Sequence, residues 1–213
     1  MFLIDRPRSD AVVRRALGES LPGVLVTDFY AVYHAIECKE QKCLAHRLRD
    51  LHALREGLSR HHVRKYVEPL STLFQDALAL SKQRDTLSAK QYAAACEAID
   101  SRLEEILWQK PKQPDCRRIN QRLVRHRFEL LTFLEHAEVP ADNNTGERDI
   151  RSVAAARNDG GVNRSNWGAA AFATWKSVIR TCQKNGLNFL DYGLSVLRAR
   201  PSSSPLPLPL DSG

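Results

Sequence analysis

The sequence predicts an α/β layer joined to a large all-helical block, with helix predominating overall. Three observations carry this. A β-branched run, Val24-Leu25-Val26-Thr27, stands between two segments of helical spacing. Strand, helix, strand and helix then fit within about forty residues, the pattern of a parallel sheet. From residue 47 to 136 apolar positions recur at helical spacing, and strand-like alternation is missing.

Element by element, Phe2-Leu3-Ile4 reads as a short strand, followed by a turn at Asp5-Arg6-Pro7-Arg8. Ser9 or Asp10 caps a helix with Val12, Val13, Ala16 and Leu17 on one face, and Pro22-Gly23 breaks it. Residues 24–27 form a strand buried on both faces, ending in Asp28. Residues 29–36 are helical, and Cys43-Leu44-Ala45 is a candidate strand before a basic helix from His46. In the helical block Leu48, Leu51, Leu54 and Leu58, then Leu70, Leu73, Phe74 and Ala77, then Leu103, Ile106 and Leu107 mark buried faces. Pro111 and Pro114 interrupt it.

After Val139-Pro140 a helix starts near Thr145, and Gly160-Gly161 is a turn. Helices follow over 167–182, with Gly186 as the stop, and over 189–197. The Pro/Ser-rich residues 199–213 are predicted to be disordered. The expected organisation is a strand-helix-strand unit over 1–46, a helical insertion over 47–136, C-terminal helices over 137–198 and the tail.

Composition narrows the function classes. The 213 residues carry a formal charge of +7, with a pI near 9.3. Residues 42–65 hold seven Lys/Arg and two Asp/Glu, and residues 110–127 hold seven and one. Residues 66–109 reverse the sign, with four basic and seven acidic. Two basic stretches flanking an acidic centre suggest an anionic partner, with a merely solvated helix face as the competing reading. No run is long and apolar enough for a membrane helix, and the N-terminus lacks a small-residue cleavage site. Five scattered cysteines argue for reduced thiols. A soluble cytoplasmic protein is the expectation.

Few residues carry chemistry by spacing alone. Asp28 ends the most distinct strand, at the carboxyl edge where open parallel sheets bind ligands, and it equally suits a helix cap. Glu147 closes Asn144-Thr145-Gly146-Glu147, a capping-box spacing. Cys43-x-x-His46 has half of a zinc spacing without a second pair, and no phosphate-binding glycine loop is present.

Three segments together resemble the core of the IS66 family of bacterial transposases. They are Val24-Leu25-Val26-Thr27-Asp28-Phe29-Tyr30-Ala31-Val32-Tyr33, Cys43-Leu44-Ala45-His46-Arg47-Leu48-Arg49, and residues 133–148 with Pro140-Ala141-Asp142-Asn143-Asn144-Thr145-Gly146-Glu147-Arg148. The resemblance spans residues 1 to about 198. It implies a partial RNase H-like (DDE) fold with a helical insertion between the second and third acidic positions. It also implies three carboxylates holding two divalent cations, with Mg²⁺ the expected ion. Asp28 matches the second carboxylate and Glu147 the third. Both are thereby metal ligands and catalytic residues, supported by His46, Arg148 and Asn143. DNA, as transposon ends and target, is the implied partner, gripped through Arg47, Arg49, Arg60, Arg64, Lys65, Arg117, Arg118 and Arg122. Homo-oligomers or pairing with a full-length transposase are also implied.

Two departures shape the expectation. Phe29 stands where the family usually has Gly. The family's first Asp lies upstream of the segments matched here, and Asp5 falls by position after the third strand of the fold. The implied protein is therefore a transposase fragment, truncated or from a split reading frame, that catalyses poorly alone. The alternative is an inactive DNA-binding or regulatory module derived from a transposase.

Overall fold

The computed structural model describes residues 2–4, 9–57, 61–158 and 165–198. The turn expected at 5–8, Leu58, Arg60, the Gly160-Gly161 turn and the tail at 199–213 lie outside the described residues. The chain falls into two compact units, one formed by Val13–Asn144 and the other by Met1–Val12 with Thr145–Gly213. Of the described residues, 71% are helical, and the sheet has two parallel strands.

Helix α1 (Asp10–Leu17) stops earlier than its sequence suggested. Gly18 takes a left-handed conformation (φ +84°) and donates its N–H to the Arg14 carbonyl at 2.7 Å, closing the last turn. Pro22 and Gly23, expected as the breaker, lie instead inside β1 (Ser20–Thr27). The pairing register shifts between Ser20 and Val24, across the residues where a proline cannot donate to the ladder. From Val24 onward β1 pairs in parallel with β2 (Glu37–Lys42), Thr27 opposite Lys42. Thr27 is buried but most of β1 is not, so the expectation of a strand buried on both faces does not hold. A short 3₁₀ helix, Ala31–Ala35, replaces the longer helix expected between the strands.

β2 has a polar sequence, Glu-Cys-Lys-Glu-Gln-Lys, and is held by side-chain bonds to a distant segment. Gln41 donates to the Leu130 carbonyl (3.1 Å) and accepts the Phe133 N–H (2.9 Å), while Thr132 donates to the Glu40 carbonyl (2.8 Å). Cys43-Leu44-Ala45 is not a strand, because α2 (Leu44–Gly57) begins at Leu44.

The helical core of this unit is built by α2, α3 (His61–Ser81), α4 (Ala89–Trp108) and α5 (Pro114–Arg125), with the short α6 (Thr132–Glu135) beneath. Leu70, Leu73, Phe74, Leu103 and Leu123 are fully buried, as their helical periodicity required. Ser88 and Gln91 form a reciprocal capping box at the start of α4, and Pro114 occupies the first turn of α5, where its missing N–H costs nothing. Between α3, α4 and α5 lies a buried polar relay. The Tyr66 hydroxyl donates to Asn120 Oδ1 (2.9 Å), and Asn120 Nδ2 donates to the Leu107 carbonyl (3.2 Å). Asn120→Leu is therefore expected to cost about 1–3 kcal/mol in urea unfolding, because two buried groups lose their partner.

In the second unit, residues 2–4 form no strand, and the Phe2 N–H donates to Ser177 Oγ (2.7 Å) instead. Helix α7 (Asn144–Asn158) is tied to α8 (Asn166–Lys184) through Asp149, which accepts from Lys184 (2.5 Å) and Arg180 (2.6 Å). Trp175 of α8 packs edge-on against Phe189, the first residue of α9 (Phe189–Arg198). The Lys184 hydrogen bond, followed by that of Arg180, holds the Asp149 carboxyl below its ordinary value of 3.8. A carboxyl depressed in the folded state stabilises above its unfolded value and loses that contribution as pH falls through the folded one. Asp149→Asn should therefore lower the melting temperature near neutrality and converge with the wild type in strong acid, in thermal melts taken across pH.

Candidate active site

Asp28 follows β1 directly, where strand and ladder end together. The Thr27 carbonyl accepts the Cys43 N–H at 2.8 Å, bringing the exits of β1 and β2 side by side. The Asp28 carboxylate uses Oδ1 to accept the Tyr30 N–H at 3.0 Å, an Asx turn opening the path into the 3₁₀ helix. The cap position of that helix is Tyr30, without a side-chain cap bond, so Asp28 sets the turn and is not the helix cap. The Tyr33 phenol is raised above its ordinary pKa by burial and by the charge of Asp28.

Arg47, on the first turns of α2, is 5% exposed. Its guanidinium lies over the Phe29 ring, 4.1 Å from the centroid, and pairs with Asp50 at 2.8 Å. Burial lowers its pKa, with the charge of Asp50 opposing the shift. Its Nε and Nη1 have no hydrogen-bond partner among the described residues. Phe29, the departure from the resembled pattern, thus supplies a face for this cation.

The third matched segment reaches the same end of this unit. Cys43 is buried, and its Sγ accepts the Asn143 N–H at 3.2 Å, while the Leu44 N–H donates to the Ala141 carbonyl at 2.9 Å. Asp142 Oδ1 accepts the Asn144 N–H at 2.9 Å, turning the chain into α7. Segments a hundred residues apart are thereby joined at the β1/β2 exit. The thiol serves as an acceptor in this joint, and His46 sits half-buried in the first turn of α2. Glu147 and the exposed Arg148 stand in the first turns of α7 and belong to the other compact unit.

A buried charge cluster stands beside the strand exit that sequence reasoning missed. Lys42 is 0% exposed, and its ammonium contacts Glu40, Glu129 (3.4 Å) and Thr27 Oγ1 (3.2 Å). Thr27 also donates to Glu40 (3.2 Å). His34 lies 3.3 Å from Glu40 and His126 lies 2.8 Å from Glu129, with the two imidazoles stacked at 5.2 Å. Burial lowers the pKa of His126, against the pull of Glu129. His34, Glu40 and Glu129 offer donor atoms within 4.8 Å of one another, but Lys42 already balances both carboxylates. The one signal in sequence was Glu40-x-Lys42, two charges on the same face of a strand.

Of the residues expected to meet DNA, Arg49, Arg64, Lys65, Arg117, Arg118 and Arg122 are exposed. Arg118 pairs with Asp115, and Arg118 and Arg122 line a depression of about 300 Å³ opposite Asp50 of α2. Arg47 faces inward, and Arg60 lies outside the described residues.

A family model for the transposase IS66 family matches residues 1–171. The chain belongs to the IS66 transposase family. That membership supports a transposase-type function, as the three motifs implied. The chain is also similar to the uncharacterized protein y4jO of Sinorhizobium fredii, 36% identical over 78 residues, which is 37% of this chain and 24% of that protein. The match thus spans about a quarter of the length of that relative. No solved structure matches. Among the described residues of this IS66-family chain, no helix is long and apolar enough to cross a membrane.

Proposed function

We propose that this chain contributes to the catalytic core of an RNase H-like DDE transposase that cuts and joins DNA strands, with Asp28 and Glu147 as its two matched carboxylates. In this reading residues 1–46 and 137–198 make the core, and residues 47–136 the helical insertion. What supports it best is the hydrogen bond from Asn143 to Cys43 beside the Thr27–Cys43 pairing. It ties Asn143 of the third matched segment to Cys43 of the second, within the unit that carries Asp28.

Carboxylates suit a hard divalent cation such as Mg²⁺, and Asp28 keeps a second oxygen beyond the one that accepts Tyr30. Asp28 and Glu147 would hold the metal, which when bound supplies activation of an attacking hydroxyl and stabilisation of the leaving oxygen. The chain's own groups do the rest. The Tyr30 N–H fixes the Asp28 carboxylate and the Asn143 N–H anchors the entry to α7, while His46 and Arg148 would each supply a group for the DNA phosphate. Exposed Arg49, Arg64, Lys65, Arg117 and Arg122 grip DNA backbone without reading sequence, so binding weakens steeply with salt.

The test is strand cleavage and joining on element-end DNA with Mg²⁺, comparing wild type and Glu147→Gln in the intact transposase. Loss of chemistry with retained salt-dependent binding supports the reading, and undiminished chemistry in the variant overturns it. The exposed basic side chains on α2, α3 and α5 favour a second reading, an inactive DNA-binding or regulatory module. Its mark is binding that survives Glu147→Gln in a protein that never cleaves.

A further inference from the structure

The corner between α4 and α5 carries aromatic surface that neither the core nor the proposed active site uses. Trp108, the last residue of α4, is 72% exposed, and Phe128, in the turn after α5, is 90% exposed. Both line one open depression of about 930 Å³, together with Val124, Lys110 and Arg125. Isolated exposed rings are ordinary, but two large rings on one concave surface mark a place that a ligand covers.

The charge around the rings says which ligand. Lys110 lies 5.9 Å from the Trp108 ring centroid, and Arg127 lies 5.8 Å from that of Phe128. Arg127 is neutralised by Asp100 (2.6 Å) and Glu104, so it props the ring and does not attract an anion. Lys110 and Arg125 have no ion-pair partner among the described residues. Over residues 110–127 seven Lys/Arg face one Asp. Among the described residues Lys110 is also the one non-glycine residue with positive φ (+45°). It stands just past the end of α4, where glycine is usual and a side chain costs about 1–2 kcal/mol. A lysine there holds its ammonium at the rim of the depression.

We propose that this depression binds single-stranded DNA, with unpaired bases stacked on Trp108 and Phe128 and phosphates met by Lys110 and Arg125. Flat faces alternating with cations complement a strand that alternates flat bases with anions. A duplex keeps its base faces stacked inside and offers the rings nothing. The proposal extends the DNA-handling reading above and rests on it only for the identity of the polymer. The stacking uses neither Asp28 nor Glu147.

The full chain carrying Trp167→Phe and Trp175→Phe keeps Trp108 as its remaining tryptophan, the sequence having three. Titration with a short thymidine homopolymer is expected to quench its fluorescence. Anisotropy with the labelled oligomer should show about tenfold weaker binding in Trp108→Ala and in Phe128→Ala. Trp108→Phe should recover most of the loss, and binding of duplex DNA should not change. Lys110→Gly separates binding from folding, because it relieves the backbone cost, holds or raises the melting temperature, and still weakens oligomer binding. Unquenched fluorescence, or alanine variants that bind the oligomer like the parent, overturns the proposal. So does a loss of self-association in Trp108→Ala with oligomer binding intact, which would assign the depression to a second copy of the chain. Because the readout is binding, loss of strand-joining chemistry in Glu147→Gln bears on the preceding reading and not on this one.

Discussion

Lys42→Met is expected to lower the unfolding free energy by about 3–5 kcal/mol, the range for breaking a buried ion pair from one side. The ammonium is wholly buried and contacts Glu40, 8% exposed, as well as Glu129 and Thr27. Methionine has a similar length, so the loss is chiefly electrostatic. It leaves the carboxylates of Glu40, on β2, and Glu129, in the turn after α5, close together without the ammonium between them. Lys42→Met with Glu40→Gln should recover part of the loss, since one of the stranded charges is removed as well. Urea unfolding monitored by circular dichroism measures both, and a loss below about 1 kcal/mol for the single variant would mean the cluster carries little net stability.

On the proposed catalytic reading, Asp28→Asn and Glu147→Gln each reduce strand cleavage in the intact transposase by about 10²–10³-fold or more, the scale of removing one electrostatic stabiliser of the transition state. Two ligands of one metal assembly act as a unit, so the double variant should be no worse than the poorer single one. Multiplicative losses in single-turnover cleavage assays would place the two carboxylates in separate tasks. Salt-dependent DNA binding should persist in all three variants, because the phosphate-gripping arginines are untouched.

How much was legible in the sequence depended on how local the cause was. β1 was visible because Val24, Leu25, Val26 and Thr27 favour extended backbone by their own sterics. α4 was visible through the helical spacing of Leu103, Ile106 and Leu107, whereas Pro114, expected as an interruption, begins α5 because its missing N–H suits a first turn. β2 was not, because nothing in Glu-Cys-Lys-Glu-Gln-Lys favours a strand by itself. Its backbone is held by Gln41 reaching Leu130 and Phe133 and by Thr132 reaching Glu40, partners about ninety residues away. The end of α1 was misplaced for a similar reason. Pro22-Gly23 is the stronger local breaker, but Gly18 had already closed the helix, and pairing with β2 drew the proline into a strand.

Taken by itself, the sequence determined most helices, one strand and the two basic stretches, which follow from short-range sterics, spacing and composition, and it carried the motifs by which the chain matches the IS66 transposase family. Only the tertiary structure decided that Asn143 docks on Cys43, that Lys42 is buried between two glutamates, and that Trp108 and Phe128 face water. A helical period cannot tell a ring that faces the core from one left at the end of a helix, and charges two apart on a strand do not reveal which remote carboxylate completes their balance. Those outcomes depend on which distant surfaces the chain closes together, and closure is a property of the whole fold.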